Sequence, residues 1–150
     1  MAALVVIVSL DQLTKAWAVA ALDHGPKHAI GDFLVFEVAR NSGSAFSRFQ
    51  GYTPVLAVLA IVITVFVARS VRHATDTWTQ VGLVLVLGGS LGNLTDRLVR
   101  SPGFLRGHVV DFIAVGWWPV FNIADSCITI GAIVLIVRTL LAPAPTPAAR

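Results

Sequence analysis

Apolar residues in this chain gather in four long blocks, at about 2–22, 54–71, 78–98 and 121–141, separated by stretches where charges, glycines and prolines collect. A helical block of about twenty residues, at roughly 1.5 Å per residue, is long enough to cross a ~30 Å hydrocarbon layer. The pattern predicts an all-α integral membrane protein with four transmembrane helices. The first block is interrupted by Asp11, Gln12 and Lys15, and no positive charge precedes it. Both features argue against a cleavable signal sequence. Asp11 and Lys15 are four apart, so a helix stacks them on one face beside Thr14, where they can pair. A lone charge near the bilayer centre costs about 2.5 to 3.5 kcal/mol. This face should therefore turn toward protein or a wet cavity, either as a structural ion pair or as part of a substrate site.

Between the first two blocks, Phe33-Leu34-Val35-Phe36-Glu37-Val38 is rich in β-formers, with Gly31 and Asn41-Ser42-Gly43 as turn signals around it. A small sheet or hairpin on the membrane surface, over about 30–50, fits this composition. Asn41-Ser42-Gly43-Ser44-Ala45-Phe46 is a polar turn that can bring backbone and an amide side chain close to a ligand. The second block holds no ionisable residue until Arg69 and reads as scaffold. In the third, Gly88 and Gly92 have the small-xxx-small spacing that allows close helix approach, while Gly89, Asn93 and Arg97 form an adjacent stripe with Asp96 at its end. The chain then turns through Ser101-Pro102-Gly103 and Gly107 to Asp111 and on to Trp117-Trp118-Pro119, an aromatic pair suited to headgroup depth. Pro119 is placed to start the last helix, which would put Asn122 and Asp125 on one face of its first turns. The tail, 142–150, is rich in Pro and Ala and is expected to be disordered, leaving 1–141 as a single membrane domain.

Composition agrees with the block pattern: 56% of the 150 residues are apolar and 13% charged. The net charge of +3, without a basic run, gives no support for nucleic-acid binding. With one cysteine, Cys127, an intrachain disulfide and a cysteine metal cluster are excluded.

The chemistry centres on two carboxylates, Asp111 and Asp125, each set among apolar residues. If folding brings them together, each raises the cost of ionising the other and one proton is shared, which is the basis of aspartic-protease catalysis. Four spans would place both termini on one side and gather the surface sheet, Asn41, Arg97, Asp111 and Asp125 on the other. The positive-inside rule taken alone points the opposite way, since Lys27, Arg40, Arg48, Arg97, Arg100 and Arg106 lie on the aspartate side. Functional arginines account for that inversion.

Five ordered motifs sharpen the picture: Asp11-Gln12-x-Thr14-Lys15, Asn41-x-Gly43-x-x-Phe46, Gly88-Gly89-x-x-Gly92-Asn93-x-x-Asp96-Arg97, Val110-Asp111-Phe112-Ile113 and Phe121-Asn122-x-Ala124-Asp125. In this order they resemble lipoprotein signal peptidase, the type II signal peptidase of bacteria. The resemblance implies a multi-pass enzyme of the cytoplasmic (inner) membrane with its active site at the extracytoplasmic face. A small extracytoplasmic β-sheet would lie between helices 1 and 2. The substrate would be a diacylglyceryl-modified prolipoprotein, cut N-terminal to the lipidated cysteine. Asp111 and Asp125 would be the catalytic dyad. Asn41, Gly43, Asn93, Asp96, Arg97 and Asn122 would hold substrate backbone or support the dyad, and Asp11 and Lys15 would shape the pocket. No metal or cofactor is implied, and the enzyme would act as a monomer among membrane lipids. Family members usually carry a longer start than the ten residues before Asp11, so either the true start lies upstream or this helix begins inside the bilayer.

Two other classes fit parts of the pattern. A small transporter or proton relay could also use intramembrane aspartates, although the two halves of the chain show no repeat. A metal hydrolase could draw on His108 with Asp96, Asp111 and Asp125, but His108 sits in a loop, as do His24, His28 and His73.

Overall fold

The computed structural model describes residues 1–43 and 53–141. The Phe46 end of the second motif, the outer part of the expected β region and the 142–150 tail lie outside the described residues. Among the described residues there are four helices: α1 (Ala2–Ala21), α2 (Thr53–His73), α3 (Thr77–Val99) and α4 (Ile123–Leu140). Four strands accompany them: β1 (Lys27–Ile30), β2 (Leu34–Asn41), β3 (Val109–Val115) and β4 (Trp118–Phe121).

Helix α3 is the hub, packing against α1, α2 and α4. Small residues permit this. A Cβ on Gly88 would meet Ile7 of α1, one on Gly92 would lie 2.6 Å from the Asp11 carboxylate, and one on Gly89 would collide with the Ala124 carbonyl of α4. The small-xxx-small pair thus seats α1 against α3, and the glycine between them opens the α4 side.

Among the described residues three helices, α1, α2 and α4, are long and apolar enough to cross a membrane. α3 is the longest, but its helical residues include Thr77, Thr79, Gln80, Asn93, Asp96 and Arg97, which lower its apolar character. The apolar surface points outward: Val5, Leu13, Val55, Phe66 and Ile133 are all more than half exposed. The interior is the reverse, with Lys15, Asn122, Asp11 and Asp96 among its largest fully buried side chains. An outside of hydrocarbon around a polar centre suits a bilayer, where lipid tails solvate the apolar face and polar groups must find partners inside.

The sheet is larger than the hairpin expected between the first two helices. All four strands join in the antiparallel order β1-β2-β3-β4, so half of the sheet comes from the segment between α3 and α4. Val109-Val110-Asp111-Phe112 is an almost continuously buried β run, and it pairs with β2 so that Asp111 stands opposite Ala39. A second correction concerns Pro119. It lies in β4, which pairs with β3, and α4 starts only at Ile123. The reason is a stronger start signal three residues on: Asn122 is the N-cap, its side chain accepting from Asp125 N while the Asp125 carboxylate accepts from Asn122 N. This reciprocal box satisfies helix donors that Pro119 could not.

The sheet docks on the end of α1. Ala18, Leu22 and Phe112 form a buried apolar cluster with Phe36, Val38, Ile113 and Ile123 packed against it. Trp17 meets Phe36 and Phe112 edge-on at centroid distances of 6.0 and 6.3 Å. This contact fixes β3, and with it Asp111, over the end of the helical core.

Candidate active site

Four elements deliver polar side chains to the same end of the helices. β2 brings Asn41, β3 brings Asp111, α3 brings Asn93, Asp96 and Arg97, and the start of α4 brings Asn122 and Asp125. Two amides join the carboxylates. Asn122 Nδ2 donates to Asp111 Oδ1 at 2.6 Å and to Asn93 Oδ1 at 3.1 Å, and Asn93 Nδ2 donates to Asp125 Oδ1 at 2.7 Å. Asp111 Oδ2 accepts from Asn41 Nδ2 at 3.0 Å. Asn41 Oδ1 in turn accepts from Gly43 N at 2.7 Å, which folds the chain back on itself just after β2. Gly43 adopts a φ of +89°, a backbone state that strains any residue bearing a Cβ.

Asp111 is 2% exposed, and burial pushes its carboxyl up to about 6. The Asn41 amide opposes that shift, the Asp125 charge adds to it, and Asn122 and Lys15 oppose it. Asp125 is less enclosed and faces a groove of about 300 Å³ lined also by Trp118, Phe121, Ser126, Thr129 and Ile130. One carboxyl is thus held dry while its partner opens toward a space that water or a peptide can enter.

Behind this pair lies a second, fully buried network. Lys15 Nζ is 2.9 Å from both Asp11 Oδ2 and Asp96 Oδ2. Gln12 Nε2 donates to Asp11 Oδ2, Asp96 Oδ1 and the Gly92 carbonyl, each at 3.1 Å. Each acid also reaches one of the two key segments. Asp11 Oδ1 accepts from Ala124 N at 3.0 Å, and Asp96 Oδ2 accepts from Val110 N at 3.1 Å. The residues immediately before Asp125 and Asp111 are therefore pinned by backbone bonds to buried carboxylates, the kind of support that keeps reacting groups in place.

Arg97 donates from Nη1 to the Asn93 carbonyl at 3.2 Å, and its Nε is buried without a hydrogen-bond partner among the described residues. Its Nη2 lies 3.8 Å from where a Cβ on Gly43 would stand, so the guanidinium borders the Asn41–Gly43 turn. Two contributors were not singled out from sequence. Arg100, at 2.7 Å from Asp96 Oδ1, is legible in the i,i+4 spacing from Asp96. Gln12 stands inside the first motif, but its bridging of α1 to α3 depends on how those helices pack. His108 donates its backbone N–H to Ser101, and it does not join Asp96, Asp111 and Asp125 in a ligand-like cluster among the described residues.

Outward-facing apolar helices, with an amide-linked carboxylate pair at one end of them, place the chain in the class of multi-pass membrane proteins. Comparison with known proteins narrows it. The sequence model of the family described as Signal peptidase (SPase) II matches residues 3–141. A lipoprotein signal peptidase of Rhodococcus jostii (strain RHA1) is 49% identical over 141 residues, covering 93% of this chain and 71% of that protein. One of Mycobacterium tuberculosis (strain ATCC 25618 / H37Rv) is 47% identical over 137 residues, covering 91% and 68%. Among solved structures, two bacterial membrane enzymes determined by the in meso method superpose with TM-scores of 0.79 and 0.73. Their sequence identities are 31% and 27%, and the matches cover 94% and 99% of this chain against 92% and 91% of theirs. The chain belongs to the signal peptidase II family and is a protease.

Proposed function

We infer that Asp111 and Asp125 form the catalytic dyad of an aspartyl endopeptidase that cuts diacylglyceryl-modified prolipoproteins on the amino side of the lipidated cysteine. The observation that carries this reading is the relay Asp111–Asn122–Asn93–Asp125, which ties the two carboxylates into one hydrogen-bonded unit. Asp111, dry and raised to about 6, holds the shared proton. Asp125, facing the groove, takes a proton from water as the water oxygen attacks the scissile carbonyl carbon. The Asp111 proton moves to the carbonyl oxygen as charge develops there. Collapse of the tetrahedral intermediate breaks the C–N bond, the departing amine takes a proton from Asp125, and the hydroxyl that becomes the product carbonyl returns its proton to Asp111. Asn41 and Arg97, at the mouth of the site, orient substrate backbone.

In this reading residues 1–141 act as one peptidase domain. α3 crosses the bilayer as a fourth span, because Asn93, Asp96 and Arg97 turn toward the core, while the exposed Thr77 and Gln80 lie in its first turn, at the end of the span. The site then lies at the extracytoplasmic face of the inner membrane, with the sheet resting on that surface. One chain supplies every residue of the site, so the enzyme works as a monomer, and bilayer lipids surround it.

The test is cleavage of a diacylglyceryl-modified prolipoprotein by reconstituted protein, beside Asp111→Asn, Asp125→Asn and an unlipidated substrate. Cleavage by the wild type alone, at the bond immediately N-terminal to the lipidated cysteine and only in lipidated substrate, is the expected result. An Asn variant that remains active removes the dyad. A folded wild type that cleaves nothing but conducts protons returns the transporter alternative.

A further inference from the structure

Lys15 is fully buried in the body of α1 and uses all three of its ammonium donors within the protein. Two go to Asp11 and Asp96, and the third goes to Asn93 Oδ1 at 3.0 Å. No donor remains for a substrate, so the structural reading of the Asp11–Lys15 pair fits the geometry better than direct contact with a ligand.

The third bond has a chemical consequence. A side-chain amide has an acceptor end and a donor end, and an ammonium, which only donates, accepts only the oxygen as neighbour. Asn93 is therefore held with Oδ1 toward Lys15 and Nδ2 toward Asp125. The same Oδ1 receives Asn122 Nδ2, which also donates to Asp111. Were Asn93 turned over, its amide hydrogens would face those of Lys15 and Asn122, and its oxygen would face the Asp125 carboxylate. Every one of those contacts is repulsive. The direction of the Asn93 amide, and so the N–H aimed at Asp125, traces to one cation on another helix. It agrees with the direction that Asn122 takes from its own cap bond with Asp125 N and its bond to the Val110 carbonyl.

We propose that Lys15 is a positioning residue for the reaction: through Asn93 it sets the polarity of the relay joining Asp111 to Asp125, without touching substrate. This rests on the dyad reading above. Asp11 and Asp96 hold the ammonium in place, and the glycine at 92 gives it room by letting α1 and α3 approach.

The experiment is a double-mutant cycle in reconstituted full-length protein, with kcat and KM measured separately on a diacylglyceryl-modified prolipoprotein. Its corners are wild type, Lys15→Met, Asn93→Ala and the combination. Because Lys15→Met leaves Asp11 and Asp96 facing each other, Asp11→Asn/Lys15→Met is run in parallel, removing the cation with one of its acids. Lys15→Met is expected to lower kcat by about 10- to 100-fold, the range for groups that orient reacting side chains from behind, with KM changed by less than about twofold. In the Asn93→Ala background the same substitution should cost less than about twofold, since the amide it orients is gone. Losses that multiply across the cycle, or a change confined to KM, would overturn the assignment. Asp111→Asn and Asp125→Asn run alongside separate the two failures. If they stay active, the dyad reading falls; if they are inactive while the losses multiply, only the role given to Lys15 falls.

Discussion

The two ends of the α3–α4 pair carry the same motif, a carboxylate bonded to a basic side chain, and put it to different uses. At one end Asp76 caps α3 by accepting from Thr79 N at 3.0 Å and pairs with Arg138 Nε of α4 at 3.0 Å, both side chains about a third exposed. At the other, Asp96 is fully buried and bonds Lys15, Arg100, Gln12 and Val110 N. The exposed pair ends a helix where water would serve nearly as well, and exposed pairs of this kind stabilise little. The buried one cannot exchange its partners for water, so each donor is fixed and each fixes something in turn. The same side-chain chemistry gives a local cap where solvent competes and a positioning device where it does not.

The comparison can be broken most severely at the aspartates that the buried network serves. Asp111→Asn and Asp125→Asn should each lower cleavage of lipidated prolipoprotein by at least about 10³-fold, while the thermal midpoint stays near that of wild type. Next comes the network itself. Asp96→Ala leaves Lys15 short of a partner and Val110 N unpaired, and should destabilise the folded state by about 3 to 5 kcal/mol, read from denaturant unfolding in detergent. Gly92→Ala tests the close approach that makes the network possible. Its Cβ would press on the Asp11 carboxylate and on Ala124, and a loss of about 1 to 3 kcal/mol is expected from overpacking.

A gentler probe is pH. In the proposed mechanism Asp111 carries the proton, and its carboxyl is raised to about 6. Turnover should therefore be retained below that value and fall as pH rises through it. Substrate closure, by excluding more water, moves the limb upward rather than downward. A kcat that keeps rising well above that range would show that Asp111 is not the acid. The smallest effect belongs to the opposite end. Arg138→Ala should leave turnover unchanged and shift the unfolding transition less than any substitution above. Thr79, ahead of Arg138 and against a minor burial cost, holds the Asp76 carboxyl low, at about 2. Its contribution to stability is thus present above the ordinary carboxylate range and lost as pH falls toward about 2.

Much of this architecture was legible along the chain. The apolar blocks gave the helices, because a twenty-residue hydrocarbon surface has few folds open to it. The i,i+4 spacing of Asp11 and Lys15 marked a shared face, and the glycines at 88 and 92 marked a close helix contact. Less visible was the second half of the sheet. Val109 to Val115 is short and apolar, a pattern that strand and buried helix share, and its partner β2 lies about seventy residues away. Pro119 offered a plausible helix start, and only pairing of β4 with β3 showed that the strand continues past it to Phe121, with the Asn122 cap beyond.

What the sequence determined by itself is the set of local and periodic features: which segments are helical, which faces are apolar, and which side chains carry chemistry. These follow from the spacing of residues within one element, where covalent connection keeps neighbours near. The tertiary structure alone decided that Asn93 and Asn122 link the aspartates, that Gln12 reaches Asp96, and that Lys15 exhausts its donors before any substrate arrives. Those bonds join residues up to 84 positions apart. Their geometry depends on how closely α1, α3 and α4 pack, and no periodicity within a single helix encodes that distance.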